Sequence, residues 1–258
     1  MEIFSCYSIK GGVGKTALAV NLAYFLRETG RRTLLVDLDP QGAAGFCFRV
    51  APAGQFSPGS KKKLEGKWAL RNVRESDFPG LDILPSNLNY RHLDVLLSGM
   101  KKPRRQLDKA LGRLEDGYDA LVLDCPPNIT LLAENIFRAS SVVLVPVIPT
   151  PLSVRTFQQL TGFLQAEGLE GIKVRPFFSM VQKNKRLHRE TMEEMRQAAV
   201  GFLNAEIPFA AEVEAMGTRR APLLAGKGSS AAARAYRALC MEVVAGLTPK
   251  GVFTNFEG

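Results

Sequence analysis

The chain has 258 residues, 46% of them hydrophobic, and 34 Lys and Arg against 25 Asp and Glu give a net charge of +9. That is enough chain for one large α/β domain, and no apolar run is long enough to span a bilayer. The four cysteines (Cys6, Cys47, Cys125 and Cys240) form no Cys-x-x-Cys pair, which argues against a zinc knuckle, a redox dithiol or a disulfide framework, while the positive balance favours a polyanionic partner, nucleic acid or an anionic membrane.

The first predicted element is a strand, "EIFSCYSI", which runs into "KGGVGKT" at residues 10–16. The stretch after it, "GKTALAVNLAYFLRETG", carries Leu18, Leu22 and Phe25 at helical spacing, with Gly30 where a C-terminal cap belongs. A strand, a glycine-rich turn and a helix in that order are the context of a phosphate-binding loop. Backbone N–H groups of Gly11, Gly12, Val13 and Gly14 are expected to converge on phosphate oxygens, and the helix N-terminus, with Ala17 in its first turn, adds a favourable dipole. Lys15 is expected to reach the β- and γ-phosphates and the Thr16 hydroxyl to ligate Mg²⁺. The general pattern has a glycine where this chain has Ile9, so the loop is a variant with a lysine at each end, Lys10 and Lys15. The competing reading, a glycine-rich turn without a ligand, is disfavoured by Gly14-Lys15-Thr16 standing in place.

A second strand, "RTLLVDLD", ends in "VDLDPQG", with Asp37 and Asp39 on one side of the strand end and Pro40 and Gly42 turning the chain. Asp39 is placed to orient or deprotonate an attacking water, and Asp37 to serve a magnesium shell. Residues 50–67, rich in Pro, Gly, Ser and Lys, read as an exposed insertion. After the strand "LDILPS", the run "YDALVLDCPP" ends in Asp124, either a cap or a carboxylate holding Mg²⁺ through water; its pairing with the loop favours the second. "SVVLVPVIP" and "VRPFFSMV" complete a series of strands alternating with helices, which predicts a doubly wound, mostly parallel sheet flanked by helices. Two basic clusters follow: Lys183, Lys185, Arg186 and Arg189, then Arg219, Arg220 and Lys227. Each is a candidate set of DNA phosphate contacts or a solvated face. Pro249 and Gly251 break the tail, so 249–258 reads as flexible, and a single domain is expected over 1–258. His92 and His188 are expected to be exposed or satisfied, not ligands.

Taken together and in this order, "KGGVGKT", "VDLDPQG" and "DCPP" resemble the deviant Walker A, the switch I and the Walker B with switch II of the ParA/MinD family of ATPases. The resemblance continues through "LPSNLNYRHLDVLL" and "IPFAAEVEAMGTRRAPLLAGKGSSAAARAYRALCMEVV", most like a Soj-like ParA partitioning protein. It implies ATP and Mg²⁺ as cofactors and a slow hydrolase stimulated by a ParB-like partner. Lys10 matches the family's signature lysine, which reaches across an ATP sandwich homodimer to the partner's phosphates. Asp39 then matches the hydrolytic carboxylate, and Pro208 the segment near the adenine. Within the family, the basic clusters favour a ParA-like protein that binds DNA non-specifically, cytoplasmic and associated with the nucleoid. A MinD-like membrane protein calls for a basic amphipathic C-terminal helix, for which Lys250, Phe253 and Phe256 are a thin substitute. The nitrogenase iron protein needs two spaced cysteines, and only Cys125 lies near the switch region; for an amide-forming ligase no acceptor motif is visible. One departure is that Phe209, Ala210 and Ala211 follow the Ile-Pro where relatives often carry basic residues, which shifts the expected DNA surface towards Arg219 and Arg220.

Overall fold

The computed structural model describes residues 1–53, 71–198, 201–226 and 230–247. Its strands are β1 (Glu2–Cys6), β2 (Thr33–Asp37), β3 (Arg74–Glu75), β4 (Leu81–Leu84), β5 (Ala120–Asp124), β6 (Val142–Val147), β7 (Val174–Val181) and β8 (Glu206–Pro208). They form one sheet in the order β3-β4-β2-β5-β1-β6-β7-β8. Every neighbouring pair is parallel except β3 with β4. The doubly wound, mostly parallel sheet expected from the sequence is the observed one.

Helices cover both faces because the central strands are apolar on both. Phe4, Cys6, Leu35, Val122 and Leu144 turn towards α1 (Lys15–Glu28), α8 (Ala211–Arg219) and α9 (Ala231–Ala245), with Leu18, Leu22, Met216, Tyr236 and Leu239 packed on them. Their neighbours Ile3, Leu34, Val36, Leu121, Leu123, Val143 and Val145 face the other way. There they meet α3 (Leu93–Ser98), α4 (Gln106–Leu111), α5 (Leu131–Ala139), α6 (Pro151–Ala166) and α7 (Arg186–Ala198). The short α2 (Ala43–Cys47) follows β2 and packs on the α1 side.

This layering decides where the acidic residues point. Alternate residues of a strand face opposite sides, so Asp37, two after Leu35, and Asp124, two after Val122, both turn towards α1. Cys6, Asp124 and Asp37 stand at one level across β1, β5 and β2. The carboxylates therefore meet the loop between β1 and α1 at the carboxyl end of the sheet, where open α/β sheets bind ligands. Gly30, at φ 83°, closes α1 as expected. Of the expected insertion, only 50–53 lie within the described residues, where the Ala53 N–H donates to Ser86 O at 3.3 Å. Residues 54–67 and the 249–258 tail lie outside the described residues.

Candidate nucleotide-binding site

Residues 7–14 link β1 to α1, and Gly12 (φ 68°) and Gly14 (φ 97°) are left-handed. Such turns aim successive N–H groups at one point. Among the described residues, the N–H groups of Gly11, Gly12, Val13 and Gly14 donate no hydrogen bond. The loop is held from behind: Ser179 Oγ on β7 donates to Val13 O at 2.8 Å, and a Cβ on Gly14 would stand only 3.1 Å from that Oγ. Gly14 is thus required twice, by its φ and by the serine.

Lys15 is 7% exposed, and its Nζ donates to Lys10 O at 3.2 Å. Burial lowers its pKa, against the pull of Asp124 and Asp39. A cation so poorly solvated gains most from a phosphate. Thr16 and Ala17 follow half-buried in the first turn.

Asp124 is fully buried, and among the described residues neither of its carboxylate oxygens has a hydrogen-bond partner. Burial, then the proximity of Asp37, pushes its pKa well above the carboxylate range. The Thr16 hydroxyl beside it favours the ionised form without closing a hydrogen bond of ordinary geometry. Asp37 is also fully buried and is pushed up to about 7, chiefly by burial. Its oxygens are engaged: Oδ1 accepts from Asp39 N at 3.2 Å and Oδ2 from Gly45 N at 3.1 Å, so it anchors α2. Asp39 is half-buried on the loop beyond, with Oδ1 accepting from Gln41 N at 3.0 Å.

No group of three or more His, Cys, Asp or Glu that could hold a metal is present among the described residues. Mg²⁺ needs none, since it is commonly held by one or two protein oxygens together with phosphate oxygens and water. An orphaned buried carboxylate next to a threonine hydroxyl fits that requirement, with Asp37 at the same level as a further oxygen donor.

Lys10 is half-buried, and its Nζ donates to Ser153 Oγ at 3.4 Å at the start of α6, where Thr150 Oγ1 also donates at 3.2 Å. Pro208 ends β8 beside Val181 of β7, and the next residue, Phe209, is exposed.

The basic candidates occupy two places. Beside the start of α7, Lys183 pairs with Glu206 at 3.6 Å, Arg186 with Glu190 at 2.6 Å, Arg189 Nη1 donates to Lys183 O at 2.9 Å, and Lys185 is exposed. Arg219 and Arg220 end α8; Arg219 is exposed, whereas Arg220 is half-buried against Phe46. Lys227 lies outside the described residues. His188 is buried and accepts from Gln182 N at 3.2 Å, and His92 is exposed, its Nε2 accepting from Arg91 Nε at 3.0 Å.

The AAA domain family profile matches residues 1–168. The chromosome partitioning protein ParA of Myxococcus xanthus is 30% identical over 195 residues, covering 72% of this chain and 68% of that protein. The chain belongs to the ParA/MinD family of P-loop NTPases. The chromosome-partitioning ATPase Soj of Treponema pallidum is 28% identical over 92% of this chain and 94% of its own length. Against matched proteins of Sinorhizobium fredii and Pseudomonas putida the chain spans about half of their length, 42% and 56%.

Among ParA/MinD-type folds, a plasmid partition protein of Borrelia burgdorferi superposes with a TM-score of 0.73 at 20% identity, covering 95% of this chain and 99% of that one. Cobyrinic acid a,c-diamide synthase of Mycobacterium smegmatis, with an ATP analogue and magnesium bound, gives 0.75 at 23% identity, covering 95% and 94%. Both likenesses are of fold. No described helix is long and apolar enough to cross a membrane.

Sequence reasoning missed Ser179, Ser153 and Asn21. Asn21 of α1 is buried, donates to Ala17 O at 2.7 Å and accepts from Leu224 N at 3.0 Å. The helical pattern that marks α1 hints at Asn21, a polar residue among apolar neighbours. The serines lie 166 and 143 positions from the loop residues they hold, and no local pattern announces them.

Proposed function

We propose that this chain is a slow ATP hydrolase, acting as one domain over 1–258, whose ATP-bound homodimer binds DNA non-specifically and releases it after hydrolysis. It serves segregation of DNA or positioning of cargo, and a ParB-like partner accelerates it. The observation that carries the nucleotide half is Asp124, a fully buried carboxylate with no hydrogen-bond partner among the described residues, beside Thr16 and Lys15 at the mouth of a loop in which the N–H groups of Gly11, Gly12, Val13 and Gly14 donate no hydrogen bond among those residues. A bare buried carboxylate is unfavourable, and a site that keeps one is matched to a cation.

In this reading the residues divide the work. Gly11, Gly12, Val13, Gly14 and Ala17 present backbone donors or the helix end, and Lys15 neutralises the β- and γ-phosphates. Thr16, Asp124 and Asp37 hold Mg²⁺, which supplies charge neutralisation at the phosphates. Asp39 orients the attacking water and takes its proton. Lys10 leaves Ser153 and meets the partner protomer's phosphates, so that nucleotide occupancy is read across the dimer. Pro208 borders the adenine. The relatives named as chromosome-partitioning proteins support the DNA half, and so does the net charge of +9. Lys183, Lys185, Arg186, Arg189, Arg219, Arg220 and Lys227 are the candidate phosphate contacts, and the setting is the nucleoid.

The test is binding of the purified chain to non-specific duplex DNA with ATP, ADP or no nucleotide across a salt series, beside anionic liposomes. ATP-dependent binding that weakens with salt and is lost in Arg219→Ala/Arg220→Ala is the expected result. Liposome binding without DNA binding would point to a MinD-like role. Strong unstimulated turnover with neither would point to a metabolic relative such as an amide-forming ligase, whose fold this chain shares.

A further inference from the structure

Arg220 is a non-glycine residue at φ 51°, the left-handed region, just beyond α8. Its side chain is committed to the opposite wall. The guanidinium lies over the Phe46 ring at 4.6 Å, and its Nε donates to Phe46 O at 3.1 Å. A second strap runs the other way across the seam, from Arg49 Nη2 to Arg219 O at 3.3 Å. Phe46 remains 52% exposed, so its visible task is to support this arginine from one face.

Phe46 also lies within reach of the acidic loop. Phe46 N donates to Gly42 O at 3.0 Å, and Gly42 N to Asp39 O at 2.9 Å. In parallel, Gly45 N donates to Asp37 Oδ2 at 3.1 Å. Hydrogen bonds therefore run without a break from the two aspartates through α2 to Phe46 and on to Arg220. A five-residue helix bonded at both ends moves as a piece. An arginine whose Nε and one ring-facing surface are occupied cannot also present its side-on fork to a phosphate.

We propose that Phe46 is a latch that withholds the side-on fork of Arg220 from nucleic-acid phosphates, and that engagement of the Asp37–Asp39 loop by Mg-ATP draws α2 away and frees it. This rests on the DNA reading above and names how that surface is regulated. Phe46 touches neither nucleotide nor DNA; it acts by positioning Arg220.

The experiment compares the wild-type chain with Phe46→Ala and the bulkier Phe46→Leu, each checked by thermal melting. DNA affinity is read without nucleotide, with ADP and with ATP. Losing the cation–π contact, while Arg220 Nε keeps its backbone acceptor Phe46 O, should tighten nucleotide-free binding on the order of two- to fivefold, shrink the ATP-to-apo ratio by the same factor and, by linkage, tighten ATP binding to a similar extent. A wild-type ratio in both variants would overturn the latch. A readout independent of DNA is modification of Arg220 by phenylglyoxal, mapped by peptide mass. It should rise with ATP in the wild type and be high in every state of the variants; equal reactivity throughout would also overturn the latch. If reactivity follows the latch while no state binds DNA, the DNA reading falls and the latch stands.

Discussion

Asp124 and Asp37 are neighbouring carboxyls at one level of the sheet, both fully buried, yet they differ in what satisfies them. Asp37 spends its oxygens on two backbone N–H groups, whereas those of Asp124 meet no hydrogen-bond partner among the described residues. In the nucleotide- and metal-free protein both pKa values lie above the 3.8 of an unperturbed aspartate, Asp37 at about 7. Between those limits the folded state holds protons that the unfolded chain has released. Stability contributed by the pair is therefore present at low pH and is lost as pH rises, by at most about 1.4 kcal/mol per pH unit for each group. Melts in EDTA should show Tm falling from about pH 4 to about pH 7, less steeply in Asp124→Asn, which should melt higher than wild type at the alkaline end of that range and lose the hydrolysis proposed above. An unchanged slope in Asp124→Asn would refute the assignment of that pH dependence to the pair.

Among the elements, α1 carries the buried Lys15 at one end and a structural anchor in its middle. Asn21 links α1 to the turn after α8 through Leu224 N, and its Nδ2 lies 3.4 Å from Met216 Sδ of α8 itself. Asn21→Ala strands a buried N–H, so it should cost about 2 kcal/mol in urea unfolding. A loss within experimental error would show that water replaces the side chain. The six longer strands are legible as apolar runs because helices cover them on both faces. The edge strands β3 and β8, of two and three residues, carry no period of their own. They exist because β4 and β7 offer unpaired backbone, an offer that local sequence does not display.

Across the whole molecule, parallel topology brings the carboxyl ends of β1, β2 and β5 together, so residues 10–16, 37–39 and 124 form one site although they are far apart in the chain. The same topology leaves the basic residues in two groups, one beside α7 and one at the end of α8. If the second group meets two phosphates, Arg219→Ala/Arg220→Ala should lower the slope of log affinity against log salt by roughly 1.8. A slope unchanged from wild type would place DNA elsewhere, with the group beside α7 the next to remove.

Chain order and residue type alone determined the glycine-rich loop, the acidic strand ends and the doubly wound sheet. These depend on local rules: glycine for left-handed turns, apolar runs for buried strands, a lysine and a threonine entering a helix. The tertiary structure alone decided which carboxylate is already saturated, that Lys10 rests on Ser153 of its own chain, that Ser179 braces the loop, and that Phe46 holds Arg220. Burial and hydrogen-bond satisfaction are set by partners brought together from distant parts of the chain, and a pattern read along the chain has no term for them.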